Sequence, residues 1–204
     1  MGRAWAIVLG LFLAGFCMPA NMGKTMWLAP LVMQGLEFGP DVLGWVNGVF
    51  YILGAVIAFP AASFIRRLGI RWSVVIALAC GIVGNLIGAF SMNVTALMIS
   101  RIIEGAGFGL MGVIGVAAIS PWFPPEKRGL PLGVWAMWVA IANAVTPILD
   151  SAIAGATGSY VSVWWFMLAL DACVLVLFLL VYREPSDPFI SEEDKAGEVK
   201  FSYK

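Results

Sequence analysis

Six long apolar runs, separated by short polar segments, constrain the fold of this sequence more than any other feature. They extend approximately from Trp5 to Met33, Val42 to Ile65, Trp72 to Phe90, Val94 to Ile119, Leu130 to Ala156 and Val161 to Tyr182. Crossing about 30 Å of hydrocarbon takes about 20 apolar residues, so each run is long enough to span a bilayer. Of the 204 residues, 61% are hydrophobic and 12% charged, whereas soluble domains carry about a quarter charged residues. We therefore expect an all-α membrane protein with six transmembrane helices and no separate soluble domain.

The composition also excludes several classes of function. The chain contains no histidine, which excludes His-ligated zinc or haem and a Ser-His-Asp triad. Each of the three cysteines, Cys17, Cys80 and Cys173, lies alone within an apolar run, as buried free thiols do. We therefore expect no metal site, no cofactor and no enzymatic activity.

Basic residues predict the orientation in the membrane. Loops with Lys or Arg alternate with loops that have none, namely residues 36–41, 91–93 and 157–160. The basic positions are Arg3, then Arg66, Arg67 and Arg71, then Lys127 and Arg128, then Arg183. Because loops rich in Lys and Arg stay in the cytoplasm, we expect a multi-pass protein of the cell (inner) membrane with both termini cytoplasmic.

The sequence changes character after Arg183, which divides the chain into residues 1–183 and 184–204. The second part contains Pro185, Pro188 and an acidic run at 192–194, with few apolar residues. Such a composition cannot bury a core, so we expect a hydrophilic cytoplasmic tail or a truncated central linker after the six-helix bundle.

Ionisable residues inside the spans are the candidate functional residues, because a charge at a helix centre costs about 2.5 to 3.5 kcal/mol on insertion scales. At about 1.5 Å per residue, four of them lie about 10 to 16 Å below the outer helix ends, in one layer near the midplane. These four are Lys24, Arg101, Glu104 and Asp171. Asp150 lies nearer the outer interface and is a weaker candidate.

Spacing places several polar residues on shared helix faces. Arg101 and Glu104 are three residues apart, as are Asn21 and Lys24. A polar stripe follows the fifth span, beside the helix-disrupting Pro147, and consists of Asn143, Thr146 and Asp150. These faces predict a polar pathway between the helices.

Each candidate has a structural alternative. The Lys24 side chain could extend to the outer interface, and Arg101 with Glu104 could form a purely structural ion pair. Asp171 could be a protonated acid, a partner for a basic residue on another helix, or a contact to another subunit. Trp135 and Trp138 could stack on a substrate or pack in the core.

Glycines recur on the third and fourth spans, at positions 81, 84 and 88 and at positions 105, 107, 109, 112 and 115. Small residues at such spacings let helix backbones approach closely in a bilayer. We expect these two helices to pack tightly.

The pattern from Arg101 through Gly129 resembles a known family. It reads Arg-x-x-Glu-Gly-x-Gly-x-Gly, followed by Trp122-Phe-Pro-Pro-Glu-Lys-Arg-Gly129. Together with the six spans and the double-basic segment after the second span, it is similar to the N-terminal six-helix half of the major facilitator superfamily. The resemblance covers nearly the whole chain, and the hydrophilic end at 198–204 resembles the start of the linker to a seventh helix.

Two motifs depart from the superfamily pattern. The resemblance implies a gating loop at Arg66, Arg67, Gly69 and Arg71, but Arg66 occupies the position of the usual acid and Ala62 that of the first glycine. The charge latch that this acid forms in the superfamily is therefore in doubt. The fifth span ends without the Gly-Pro-x-x-Gly-Gly pattern of the antiporter branch, so antiport is not supported.

The resemblance implies alternating access by two six-helix halves, with the first and fourth helices lining the central cavity. We expect Asn21, Lys24, Arg101 and Asn143 to bind substrate, and Glu104 and Asp171 to couple protons. Two cations against one acid favour a small organic anion. The expected partners are the lipid bilayer and a second six-helix half, either another copy or a separate C-terminal half, with no nucleic acid. The alternative is a non-transporting subunit or scaffold of a larger complex.

Overall fold

The computed structural model describes residues 2–184, and the regular secondary structure of this part of the chain is all helical, without strands. Two short 3₁₀ turns, Ser120–Trp122 and Pro125–Lys127, precede the fifth α-helix. The α-helices are α1 (Gly2–Trp27), α2 (Ala29–Gly35), α3 (Pro40–Ala89), α4 (Val94–Ile119), α5 (Gly129–Ala136), α6 (Trp138–Thr157) and α7 (Val161–Val181). Apart from residue 184, the predicted tail lies outside the described residues.

Residues 2–184 contain six membrane-spanning segments, as the sequence predicts. In this part of the chain, five helical stretches are long and apolar enough to cross a bilayer. One of them, α3, has 50 residues, which corresponds to about 75 Å and hence to two crossings. The helical geometry of α3 is interrupted at Gly69, with φ 78° and ψ 164°. We call residues 40–68 the first arm of α3 and residues 70–89 its second arm.

The expected gating loop between these arms is a one-residue break rather than a loop. Arg66 and Arg67 are exposed on the last helical turn of the first arm, and Arg71 is exposed at the start of the second. Glycine alone adopts a positive φ without a steric penalty, which explains why the chain reverses at Gly69. The Ser73 hydroxyl donates a hydrogen bond of 2.7 Å to the Gly69 carbonyl at the break.

Two other predicted spans are each divided into two helices. The first span ends at Trp27, and α2 begins after Leu28 because Pro30 lacks the N–H that would continue the helix. The fifth span, expected from Leu130 to Ala156, is divided at Met137 between α5 and α6. Pro147 lies inside α6 without ending it.

The basic segments gather at one end of the bundle. The rings of Trp5 and Phe123 meet edge to face with centroids 5.8 Å apart, which joins the start of α1 to the segment before α5. The carboxylate of Glu184 approaches Gly69, which joins the end of α7 to the break in α3. This common end agrees with the alternation of basic loops, and its cytoplasmic placement stays a prediction.

Glycines bring α4 close to the second arm of α3, which is the predicted third span. A Cβ atom at Gly107 would lie 2.6 Å from the carbonyl oxygen of Ala77, so the expected tight packing of the third and fourth spans is confirmed.

Glycines of α4 also meet the first arm of α3. A Cβ atom at Gly105 would collide with the backbone of Phe50, and one at Gly109 with the backbone of Gly54. Gly112 behaves differently, because no atom lies within 4 Å of the position its Cβ would take. The close backbone contact therefore covers positions 105–109 of α4 and does not extend to Gly112.

Candidate functional site

Four ionisable side chains from three helices meet inside the bundle. Lys24 comes from α1, Arg101 and Glu104 from α4, and Asp171 from α7, and each residue is at most 1% exposed. Two equally buried amides complete the group, and we call the six residues the charge cluster: Asn21, Lys24, Asn85, Arg101, Glu104 and Asp171. The sequence predicts that the four charges share one layer, and the structure brings them together.

Lys24 uses all three ammonium protons within the cluster. Its Nζ lies 2.5 Å from Oε1 of Glu104 and 3.0 Å from Oδ1 of Asn21, and it also donates to Oδ1 of Asn85. The same nitrogen lies 4.9 Å from the centroid of a Trp164 ring. Because an ammonium group has three donors and no acceptor, its hydrogen bonding is complete. The alternative in which Lys24 extends to the interface is therefore wrong.

Arg101 holds α1 through the main chain. Its Nη1 donates to the Asn21 carbonyl at 2.7 Å, and its Nη2 donates to the Met22 carbonyl at 2.6 Å. Nη1 also pairs with Oε2 of Glu104, and the guanidinium carbon lies 4.5 Å from the centroid of the Phe50 ring. Glu104 therefore bridges the two cations, one through each carboxylate oxygen.

Amide groups, rather than a basic side chain, hydrogen-bond to Asp171. Asn21 Nδ2 lies 3.3 Å from Oδ1 and 3.0 Å from Oδ2 of Asp171, and Asn85 Nδ2 lies 3.0 Å from Oδ2. Asn85 also donates to Oδ1 of Asn21 at 2.8 Å, so the amides connect Asp171 to Lys24. The sequence left the partner of Asp171 open, and the structure places this residue inside the bundle.

Asn85 is the member of the cluster that sequence reasoning missed. It lies on the second arm of α3 in the apolar run from Trp72 to Phe90, whose recurring glycines are the more conspicuous pattern. A buried amide in a span hydrogen-bonds across helices, so an uncharged polar residue within such a run is itself a signal. Asn47 was missed in the same way, and its Oδ1 accepts a hydrogen bond of 2.7 Å from Thr25.

The structure gives a different charge balance from the two cations and one acid counted in the sequence. Asp171 contacts the same amides as Lys24, so the cluster contains two cations and two acids. If all four are ionised, they cancel. Breaking one buried ion pair costs about 3 to 5 kcal/mol, because the remaining charge stays buried and unpaired. The cluster is therefore a set of mutually dependent charges.

The remaining candidates lie apart from the cluster. Asn143 on α6 is half-buried, and its Oδ1 has no hydrogen-bond partner in the described part of the chain. Asp150, on the same helix, is fully buried and belongs to no ion pair or hydrogen bond among residues 2–184. Trp135 and Trp138 stack on each other with ring centroids 5.0 Å apart and are at most 8% exposed, so they belong to the core.

A cavity of about 780 Å³ opens at the basic end, away from the cluster. Its polar lining includes Arg3, Glu126 and Lys127, and its apolar wall includes Trp5 and Trp122. The charge cluster has no part in this cavity, so the buried charges and this open space are separate features of the bundle.

The family is decided by comparison with known sequences. The model of the Major Facilitator Superfamily matches residues 11–203 of the chain. The chain belongs to the Major Facilitator Superfamily. The superfamily consists of membrane transporters, and the helical bundle agrees with that assignment.

Superfamily members of several kinds resemble the chain. An uncharacterised MFS-type transporter of Mycobacterium tuberculosis is 26% identical over 184 residues, which is 90% of this chain and 31% of that protein. A multidrug transporter of the superfamily from Aspergillus fumigatus is 26% identical over 161 residues, covering 78% of this chain and 31% of that protein. The chain therefore spans about a third of the length of these relatives.

The fold of the superfamily is also recognised among solved structures. The proton:xylose symporter XylE, bound to 6-bromo-6-deoxy-D-glucose, superposes with a TM-score of 0.77 at 18% identity. The match covers 91% of this chain and 46% of the symporter. The chain is thus a multi-pass membrane protein with the architecture of about half a superfamily transporter.

Proposed function

We propose that this chain is one six-helix half of a secondary active transporter, which carries a small organic anion together with protons across the cell (inner) membrane. The observation that supports the proposal best is the charge cluster, because it joins four helices through charges that depend on one another. A second six-helix unit, either another copy or a separate C-terminal half, would complete the transporter. Both termini would face the cytoplasm.

Glu104 is central to the proposed coupling. It is the counter-ion of both Lys24 and Arg101, at 2.5 Å from the first and in contact with the second. Protonation of Glu104 would leave two buried cations without their acid, and a substrate carboxylate could then replace it. Proton and anion would each favour the binding of the other, which is the requirement for symport.

The other proposed roles follow from position. Asp171 is the second proton-coupling candidate, because it reaches Lys24 through the amides of Asn21 and Asn85. Asn21 is a proposed substrate contact beside Lys24, and Asn143 is a proposed contact from α6. At the basic end, we propose that Arg66, Arg67, Gly69 and Arg71 contact the second half and gate the pathway.

Uptake of labelled small carboxylates into membrane vesicles tests the proposal. We expect Lys24→Ala, Arg101→Ala and Glu104→Gln to lose proton-driven uptake. The exposed residues Lys127 and Glu126 supply matched controls, and Lys127→Ala and Glu126→Gln should keep it. Unaltered uptake in all three cluster variants would contradict the proposed site.

A non-transporting subunit or scaffold is the second candidate function. The observation that favours it is the burial of the cluster, whose Lys24 donors are all used within the chain. The mass and composition of the purified particle in detergent separate the two proposals. A stable complex with unrelated proteins supports the scaffold, whereas a pair of six-helix units supports the transporter.

A further inference from the structure

Asp150 is buried without a hydrogen-bond partner in the described part of the chain, which sets it apart from the acids of the charge cluster. The residue is 0% exposed, and neither Oδ1 nor Oδ2 accepts a hydrogen bond from any donor among residues 2–184. Glu104 contacts two cations, and Asp171 accepts from two amides. Buried polar groups in folded proteins are almost always hydrogen-bonded, so this carboxyl group needs an explanation.

The helix that carries Asp150 offers it no donor. Thr146 lies one turn earlier on the same face, but its hydroxyl donates to the Ala142 carbonyl at 2.9 Å. Asp150 lies seven residues before the end of α6 at Thr157, or about 10 Å below that end. It is therefore inside the span, and both of its carboxylate oxygens are buried.

Lys24 on α1 is close enough to Asp150 on α6 to interact with it electrostatically. Its three protons, however, point to Asn21, Asn85 and Glu104. The Glu104 carboxylate, 2.5 Å from the ammonium group, is the ion-pair partner of Lys24. Lys24 is thus a neighbour of Asp150 without being its counter-ion.

We infer that Asp150 is a proton-binding site, occupied in the state described here, and distinct from Glu104 and Asp171. A carboxylate that is buried without a cation or hydrogen-bond donors takes up a proton rather than remain charged. One carboxylate oxygen forms an O–H bond with a proton from water, and release returns the proton to water. The site therefore binds a proton and needs no other ligand.

The same geometry connects this site to the charge cluster. If Asp150 loses its proton, the new buried negative charge attracts the nearest cation, which is Lys24. Lys24 would then divide its donors between Glu104 and Asp150, which weakens the ion pair that joins α1 to α4. An anionic Asp150 would thus compete with an anionic substrate for Lys24, whereas a protonated Asp150 leaves Lys24 to the substrate. Proton and anion then favour each other's binding, as symport requires, a role that rests on the proposed transport function.

Infrared spectroscopy of the purified protein tests the protonation directly. At neutral pH we expect a carbonyl band of a protonated carboxylic acid that shifts when aspartate carboxyl groups carry ¹³C. The band should vanish in Asp150→Asn and persist in Asp171→Asn and Asp41→Asn. In Asp150→Glu the band should appear at another frequency and should no longer shift with aspartate labelling, because the protonated acid is now a glutamic acid. This variant keeps the test valid if Asp150→Asn does not fold. A missing band, or one that survives in Asp150→Asn, would overturn the inference.

A transport measurement separates this inference from the proposed function. In vesicles, Asp150→Asn should retain exchange of labelled for unlabelled carboxylate but lose accumulation driven by a proton gradient. Accumulation at the wild-type level in this variant would overturn the coupling role of Asp150. If the wild-type protein transports no carboxylate, the proposed function fails, while the infrared band still decides whether Asp150 binds a proton.

Discussion

The ammonium group of Lys24 and the carboxylate of Glu104 lie 2.5 Å apart across the contact between α1 and α4, and solvent reaches neither side chain. The ion pair joins residues 80 positions apart in the sequence. An ion pair of this kind is strong only while both residues are charged, so the charge state of each residue determines how strongly the other is held.

This dependence can be measured as a coupling energy. We expect Lys24→Met and Glu104→Gln each to lower the free energy of unfolding by about 3 to 5 kcal/mol, because each leaves a buried charge unpaired. The double variant should lose less than the sum of the two single effects. Reversible unfolding of the four proteins in mixed detergent micelles gives the coupling. Additive losses would show that the two residues act independently.

The side-chain amide of Asn85 donates to two acceptors and accepts from Lys24, so its removal should lower the stability of the fold. We expect Asn85→Leu to lower the free energy of unfolding by about 1 to 3 kcal/mol, because Asp171 and Asn21 lose a donor and Lys24 loses an acceptor. The same unfolding measurement applies. Asn143→Leu is the matched control, since Oδ1 of Asn143 has no partner within residues 2–184. Equal losses in the two variants would contradict the network.

Gly109 and Gly112 lie on the same helix but in different surroundings. We expect Gly109→Ala to lower the free energy of unfolding by about 1 to 3 kcal/mol, because the new methyl group meets the backbone of Gly54. Gly112→Ala should leave stability unchanged or raise it by up to about 1 kcal/mol, because the site is open and alanine favours the helix. The midpoints of thermal unfolding in detergent compare the two. A reversed order would rule out the close contact of α3 and α4.

The raised pKa of Tyr182 predicts that the folded protein loses stability at alkaline pH. Burial and the negative charge of Glu184 raise the pKa of its phenol, which stacks on Phe178 just after α7 ends. Above pH 10, about the ordinary pKa, the unfolded chain releases this proton while the folded protein keeps it, so stability falls as pH rises. We expect Tyr182→Phe to flatten this slope in unfolding measured between pH 8 and about 11. If stability falls as steeply with pH in Tyr182→Phe as in the wild-type protein, other titrating groups cause the fall.

Much of the fold follows from the sequence because lipid imposes a simple rule on it. A span must be apolar over about 20 residues, and the six runs meet that rule. Breaks within runs are harder to predict because they depend on single residues. The expected loop at Arg66 to Arg71 is reduced to Gly69, since one glycine with positive φ can reverse a helix without a polar linker.

The charged members of the site were predictable, whereas their connections were not. Lys24, Arg101, Glu104 and Asp171 stand out because charges are rare in spans. The hydrogen bonds from Asn85 to Asp171 depend on how α3 and α7 are packed, which no local pattern encodes. Asp150 illustrates the opposite case, since the sequence ranked it lower by depth, whereas the structure shows it buried with no hydrogen-bond partner among residues 2–184.

Arg101 donates hydrogen bonds to the main-chain carbonyls of α1 at positions 21 and 22 rather than to α1 side chains. Every amino acid supplies a carbonyl at these positions, so mutation of Met22 leaves this attachment chemically unchanged. Evolution can therefore replace the side chain at position 22 without releasing α1 from Arg101. An arginine anchored to the main chain thus holds the position of the helix whatever residue stands there.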